Sequence, residues 1–361
     1  MPDLTIVIGS FLEEDLVERI KDARPGAKVV YEPDLLPAPR YPCDHTGRRR
    51  ELSQADLDRW RKLSAEADVF FDFDWLDPAG MPENSPRLRW VQATSAGIGA
   101  LMRRTGLDRR CAPGTGTGQG DTGTGQDDTG LVVTTAAGIH AQPLAEFALM
   151  GALHFVKGVP QLRQWQQEKH WELYATRQLA GLRAVVVGLG GIGRRVVELF
   201  NALGVEVYGM GRDGKHYDIP GMKRLIARSD LDEALPGTDI LILACPLTEE
   251  TRGLVGRAQL ARLPASAVVV NVARGPVVDQ AALTDALRDG RLAGACLDVF
   301  DEEPLPRDDP LWNLDNVILS PHSASTVATE NAALTDLFLD NLARFVNGQP
   351  MHNRYDPARG Y

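Results

Sequence analysis

One segment constrains the fold more than any other. Residues 184–188 read AVVVG, a short apolar run. Gly188-Leu189-Gly190-Gly191-Ile192-Gly193 follows without a gap, an amphipathic stretch runs over 192–203, and a second apolar run, VEVYG, occupies 205–209. The string G-x-G-x-x-G says little alone. Between a strand and a helix, inside one βαβ unit, it is the pattern of a dinucleotide site. Gly188 permits the tight turn, Gly190 lets the backbone approach a pyrophosphate, and Gly193 allows the helix to pack close to the strand. Gly191 and Ile192 contribute N–H groups to the helix N-terminus, where unpaired donors and the helix dipole favour an anion. The plain alternative is a glycine-rich turn in another α/β fold.

The end of the second strand reports on which dinucleotide. A ribose-binding acid is expected there, roughly 20 residues after the turn. This chain has Gly211 at that place and Arg212 next to it, in Met210-Gly211-Arg212-Asp213-Gly214. A carboxylate would repel a 2′-phosphate, whereas a small residue followed by an Arg admits one and pairs with it. The reading favours NADP(H). NAD(H) stays open, because a two-residue shift of the loop would bring Asp213 to a 2′-hydroxyl.

The rest of the chain alternates in the same way. Strands are predicted at 4–8, 69–73, 90–93, 240–244, 267–272, 295–299 and 317–320. Helices are predicted at 13–22, from 143 on through 167, and over 326–346, where Gly348 and Pro350 supply stop signals. Strands alternating with helices imply α/β architecture with parallel sheets. Continuous apolar runs such as ILILA suit strands buried on both faces. A length of 361 residues allows two domains and an ample core.

Composition excludes several classes. Charged residues make up 24% and the net charge is −10, which argues against nucleic acid or an anionic membrane as a main partner. The most apolar stretch, 144–159, contains Glu146, His154 and Lys157 and is too short and polar to span a bilayer. The start lacks a basic segment followed by an apolar one, so no signal peptide is expected. Cys43, Cys111, Cys245 and Cys296 form no C-x-x-C pair and read as reduced thiols of a cytoplasmic protein. No His/Cys/Asp cluster has metal-ligand spacing, so no metal is expected. The glycine excess is local: seven of 35 Gly lie in 114–130, where TGTGQGD is followed by TGTGQDD. That stretch has no apolar side chain and reads as an inert surface loop rather than a phosphate cradle.

Asn271-Val272-Ala273-Arg274-Gly275-Pro276, Leu297-Asp298-Val299-Phe300-Asp301-Glu302-Glu303-Pro304-Leu305 and Ser320-Pro321-His322 occur in this order, preceded by Ala244-Cys245-Pro246-Leu247-Thr248 and the glycine motif. In these segments the chain resembles the D-isomer-specific 2-hydroxyacid dehydrogenases, in particular glyoxylate/hydroxypyruvate reductase-like members of NADP type. The likeness runs from about residue 88 onward, apart from the insertion. It implies two Rossmann-like domains with the active site in the interdomain cleft. The substrate domain would comprise 1–138 and 322–361, and the dinucleotide-binding domain 139–321.

The resemblance implies that Arg274, Glu303 and His322 are the catalytic set, and the chemistry agrees. Reduction of a 2-oxo acid needs a cation that grips the carboxylate and polarises the carbonyl, and Arg offers an always-charged fork. It needs a proton donor, a role that suits His near neutral pH. A carboxylate beside the ring orients it and stabilises the imidazolium. Of Asp301, Glu302 and Glu303, the resemblance selects Glu303, immediately before Pro304. It also implies that Cys245, Pro246, Ala273 and Asp298 line the cofactor, and that Ser95, Ala96 and Gly97 bind the substrate carboxylate through backbone N–H groups. Gly99 departs from the pattern, where many members carry Asp. His140 reads as a loop residue and Glu146 as structural. Implied partners are a small 2-oxo or 2-hydroxy acid and a second copy of the chain, as a homodimer. The alternative function is a nucleotide-sensing, co-repressor-like binding protein on the same fold.

Overall fold

The computed structural model describes residues 4–111 and 130–360. All of the low-complexity stretch except Gly130 lies outside the described residues. Its flanks are neighbours: Cys111 and Leu131 form an isolated parallel β-bridge. The chain divides into two compact units, Met1–Ile139 with Thr326–Tyr361, and His140–Ser325. His322 therefore belongs to the same unit as Arg274 and Glu303.

The first unit contains β1 (Thr5–Ile8), α1 (Glu14–Ala23), β2 (Lys28–Val30), α2 (Gln54–Ala65), β3 (Val69–Phe71), α3 (Met81–Asn84), β4 (Trp90–Gln92), α4 (Gly99–Thr105) and β5 (Val132–Thr134). Its strands pair in parallel in the order β2-β1-β3-β4-β5. Alternate side chains go to opposite faces. Ile6, Ile8, Val69, Phe71 and Trp90 pack with α1 and with the C-terminal helix Glu330–Val346. Val7, Phe70, Val91 and Val133 pack with Trp60, Met81 and Met102 from α2, α3 and α4. The C-terminal helix is fastened here by Phe338, stacked on Trp90 at 5.0 Å and edge-on to Phe71 at 5.3 Å. Ser53 caps α2 in a reciprocal capping box with Asp56.

The second unit contains α5 (Ala141–Val156), α6 (Val159–Glu168), β6 (Arg183–Val187), α7 (Gly191–Ala202), β7 (Glu206–Met210), β8 (Met222–Ile226), α8 (Leu231–Ala234), β9 (Ile240–Leu243), α9 (Arg257–Leu260), β10 (Val268–Asn271), α10 (Gln280–Arg288), β11 (Gly294–Leu297) and β12 (Val317–Leu319). Its seven strands pair in the order β12-β11-β10-β9-β6-β7-β8, all parallel. The order reverses between β6 and β9, and ligands of open parallel sheets bind at the strand C-termini beside such a switch point. Val185, Leu241 and Val269 face one core with α9 and α10, while Ala184, Ile240 and Val268 face another with α5 and α7. Both faces are buried, which explains the uninterrupted apolar runs.

The helix predicted to run from 143 through 167 is two helices. It breaks at Gly158, whose φ is +65°, and Pro160 stands at the start of α6. The C-terminal helix begins at Glu330 rather than at 326.

Candidate active site

The glycine turn lies at the switch point. Gly188 has φ +100°, and its N–H donates to Met210 O at 2.7 Å. A Cβ at Gly188 would lie 2.6 Å from the backbone of Ala244 and Cys245. A Cβ at Gly193 would lie 1.8 Å from Gly188 O, so α7 rests directly on the turn. Around Gly190 the space is open, with nothing within 4 Å of an added Cβ. Gly190 caps α7 without a side chain. The N–H groups of Gly191, Ile192 and Gly193 thus lack intrahelical acceptors. Closed packing at 188 and 193 with open space at 190 fits a pyrophosphate laid across the helix N-terminus.

Cys245 and Pro246 follow β9 at the same edge. Cys245 is buried, and burial pushes its thiol up to about 11, so at neutral pH it is a protonated apolar neighbour and no nucleophile. After β7 come Gly211 and the exposed Arg212. The Arg212 N–H donates to Tyr217 Oη at 3.0 Å.

Three loops at the C-terminal ends of β10, β11 and β12 bring the predicted catalytic side chains to one edge. At the end of β10, the buried Asn271 stitches the loop that follows: Nδ2 donates to Arg274 O at 3.2 Å and Oδ1 accepts from Ala273 N–H at 3.0 Å. Arg274 is half-buried, and its Nη1 donates to Ala273 O at 2.7 Å. A Cβ at Gly275 would lie 2.0 Å from the Phe300 carbonyl, so the Arg274 loop sits flush on the loop that follows β11. In that second loop Glu303 Oε1 accepts from Phe300 N–H at 3.0 Å, and Oε2 lies 2.7 Å from His322 Nδ1.

His322 has φ +53°, a left-handed backbone uncommon for a side-chain-bearing residue. Asp298 holds it there. The Asp298 carboxylate is buried, and its Oδ1 accepts from Ser320 Oγ at 2.6 Å, Ser323 N–H at 2.8 Å and Ala324 N–H at 3.0 Å. Donors on both sides of His322 thus converge on one oxygen. The side-chain hydrogen bonds of Asp298 all go to this loop, while its backbone N–H donates to Asn271 O at 3.0 Å.

Ser95, Ala96 and Gly97 belong to the first unit, in the turn between β4 and α4, with Ser95 and Gly97 exposed. The departure at Gly99 has a packing reason: a Cβ there would lie 2.1 Å from Gly360 O, so the chain's own C-terminal turn takes the space of a side chain. His140 occupies the N-cap position of α5 without a side-chain cap bond, and the exposed Glu146 accepts from the Gln142 side-chain amide. Among the described residues no group of His, Cys, Asp and Glu could hold a metal ion. The sequence did not point to Asn271, to the anchoring by Asp298 or to Tyr217. For the first two a signal existed, since Asn and Asp at the C-terminal ends of buried strands often bond the backbone of the next turn.

Comparison with known proteins agrees with this fold. Residues 149–324 match the model of the D-isomer specific 2-hydroxyacid dehydrogenase, NAD binding domain. A glyoxylate reductase of Aeropyrum pernix is 34% identical over 298 residues, covering 79% of this chain and 81% of its own. A glyoxylate/hydroxypyruvate reductase A of Salmonella newport is 32% identical over 227 residues, covering 63% and 70%. The crystal structure of a D-isomer specific 2-hydroxyacid dehydrogenase from Xanthobacter autotrophicus, in complex with NADPH and MES, is 30% identical and covers 99% of both chains with a TM-score of 0.74. Two parallel α/β units, a dinucleotide turn at the switch point and a chain-long likeness place this protein in the D-isomer specific 2-hydroxyacid dehydrogenase family of NAD(P)-dependent enzymes.

Proposed function

We propose that this enzyme reduces a small 2-oxo acid of the glyoxylate or hydroxypyruvate class to the D-2-hydroxy acid, with NADP(H) preferred over NAD(H). The observation that carries the reading is the His322 Nδ1 to Glu303 Oε2 pair at 2.7 Å, on loops that also brace Arg274. With Nδ1 on the carboxylate, Nε2 is the ring nitrogen left to deliver a proton to the substrate carbonyl oxygen. Glu303 holds the ring through Nδ1. Arg274 grips the carboxylate and polarises the carbonyl, with its fork preset by Ala273 O. In the first unit, the turn at Ser95, Ala96 and Gly97 would offer backbone N–H groups suited to a carboxylate. Gly188, Gly190, Gly191, Ile192 and Gly193 would hold the pyrophosphate, with Cys245, Pro246, Ala273 and Asp298 around the rest of the cofactor. The chemistry the cofactor would supply, when NADPH is bound, is the hydride.

Two observations support NADP(H): Gly211 stands where an acid would, and Arg212 is exposed beside it. The Xanthobacter relative was also solved with NADPH. A panel of 2-oxo acids assayed with NADPH and NADH tests both halves of the proposal. We expect turnover of glyoxylate or hydroxypyruvate with NADPH preferred, and loss of that preference in Arg212→Asp. Equal or better use of NADH by the parent enzyme overturns the cofactor reading, and turnover of neither acid overturns the substrate reading.

The homodimer reading is supported by an apolar surface on α6 and the segment after it. Trp171 is 93% exposed and Leu173 91%, with Leu162 and Tyr174 beside them. A second copy would cover such side chains. Light scattering should give twice the chain mass, and a monomer at micromolar concentration refutes the reading. A cytoplasmic location is supported by four free thiols, three of them buried. No described helix is long and apolar enough to cross a membrane.

A further inference from the structure

The glycine at 211 is not demanded by its own backbone. It is absent from the residues with left-handed φ, so any L-residue could adopt its conformation. The atoms nearest to a side chain there all belong to one neighbour. A Cβ at Gly211 would lie 2.2 Å from Cε2, 2.4 Å from Cζ and 2.8 Å from Oη of Tyr217. Tyr217 is not a loose surface ring that could swing aside. It is 8% exposed and belongs to the core beneath β6 and β7, with Leu189, Val207 and Ile219. Its hydroxyl accepts the Arg212 N–H at 3.0 Å, and Lys215 Nζ lies 5.3 Å from the ring centroid. Two of its contacts thus come from the loop that follows β7.

We propose that Tyr217 is a specificity-determining positioning residue: its ring fills the volume that an acid at 211 would need, and its hydroxyl sets the course of the loop carrying Arg212. This inference rests on the NADP(H) reading above. In this chain the missing acid is then the consequence of a packing choice six residues downstream. Position 211 cannot be converted toward NAD(H) by itself, because an Asp there drives into a buried ring. Only paired replacement, with the ring removed, opens room for a carboxylate beside the ribose.

The test is a double-mutant cycle of the parent, Gly211→Asp, Tyr217→Ser and the pair, with Tyr217→Phe added. Two readouts are used: the Tm of each protein without cofactor, and the Kd of NADPH and NADH by fluorescence titration. We expect Gly211→Asp to lower Tm by about 5 °C or more through overpacking and to gain no NADH affinity. We expect the pair to recover Tm relative to the sum of the single changes and to bind NADH about tenfold tighter than Gly211→Asp does. Tyr217→Phe keeps the ring, so it should keep the NADPH preference while weakening NADPH a few-fold, about two to five, through the lost bond to Arg212 N–H. If Gly211→Asp does not fold, Gly211→Ala carries the same Tm comparison with Tyr217→Ser. Additive Tm changes, or an NADH gain in Gly211→Asp equal to that of the pair, overturn the inference. A parent that binds NADH as tightly as NADPH overturns instead the NADP(H) reading, and the Tm cycle still reports separately whether 211 and 217 are coupled.

Discussion

His322→Ala lowers kcat by about a thousandfold, within the usual range for loss of a positioned general acid, while the Kd of NADPH stays within about twofold of the parent. The expectation follows from where the imidazole stands. Its Nδ1 is committed to Glu303 Oε2 at 2.7 Å, and its backbone is held at φ +53° by the Asp298 anchor. Hydride addition to a carbonyl leaves an alkoxide unless a proton arrives, and no other imidazole occurs on these three loops. His322 and Glu303 are both partly exposed, at 43% and 35% of their side chains, so the pair adds little to stability, on the order of 1 kcal/mol or less. Its value is in orientation, and the variant should therefore melt close to the parent. Steady-state kinetics at neutral pH, with a melting curve and a cofactor titration on the same preparation, separate the two. Turnover within about threefold of the parent would remove His322 from the role of acid. A matching collapse of Tm would mean that the residue is structural. Glu303→Gln should lose less, because the amide oxygen can still accept from Nδ1 and hold the ring.

The strand and helix periods that surround the glycine turn made the second unit legible in advance. The central strands β6, β9, β10 and β11 are buried on both faces, so their sequences are continuous apolar runs that cannot be confused with turns. The edge strand β12 was anticipated at 317–320, but the edge strands β2 and β8 were not legible. In β8 only Ile226 of five residues is buried, and in β2 only Val30 of three. Such strands carry no apolar signature, because pairing rather than burial defines them. Residues 143–167 misled in the opposite sense: two helices meet at Gly158, and the apolar pattern continues across the break.

At the candidate site the sequence supplied residue types and order, and packing supplied their purpose. Nothing in the spacing of Glu303 and His322 reveals that Oε2 meets Nδ1. That meeting depends on β11 and β12 being adjacent strands. The Gly211 signal was read as a missing acid, and its cause, Tyr217, lies outside any periodic pattern because it acts through a turn. The same holds for Gly99, whose partner Gly360 is at the far end of the chain.

Arg274→Lys lowers kcat/KM by about 10²–10³-fold for every 2-oxo acid the parent accepts, although charge is conserved. Loss of a preorganised donor at a developing oxyanion costs about 3–4 kcal/mol, which sets the magnitude. Geometry sets the sign. The guanidinium already spends one N–H on Ala273 O at 2.7 Å, which fixes the plane of the fork and leaves its other donors to meet substrate. A lysine ammonium is a single point on a flexible stem. It can satisfy the Ala273 carbonyl or reach the substrate carboxylate, but it cannot present two parallel donors while held. The backbone around it should not move. Asn271 fixes the loop through Nδ2 to Arg274 O and Oδ1 to Ala273 N–H, and Gly275 remains flush on Phe300, none of which uses the replaced side chain. The loss should therefore appear in both KM for the acid and kcat, with Tm and NADPH affinity unchanged. Arg274→Ala should fall further, and added guanidinium should restore part of its turnover. An Arg274→Lys enzyme within about threefold of the parent in kcat/KM would show that charge alone suffices at this position, and the fork would lose its place in the chemistry.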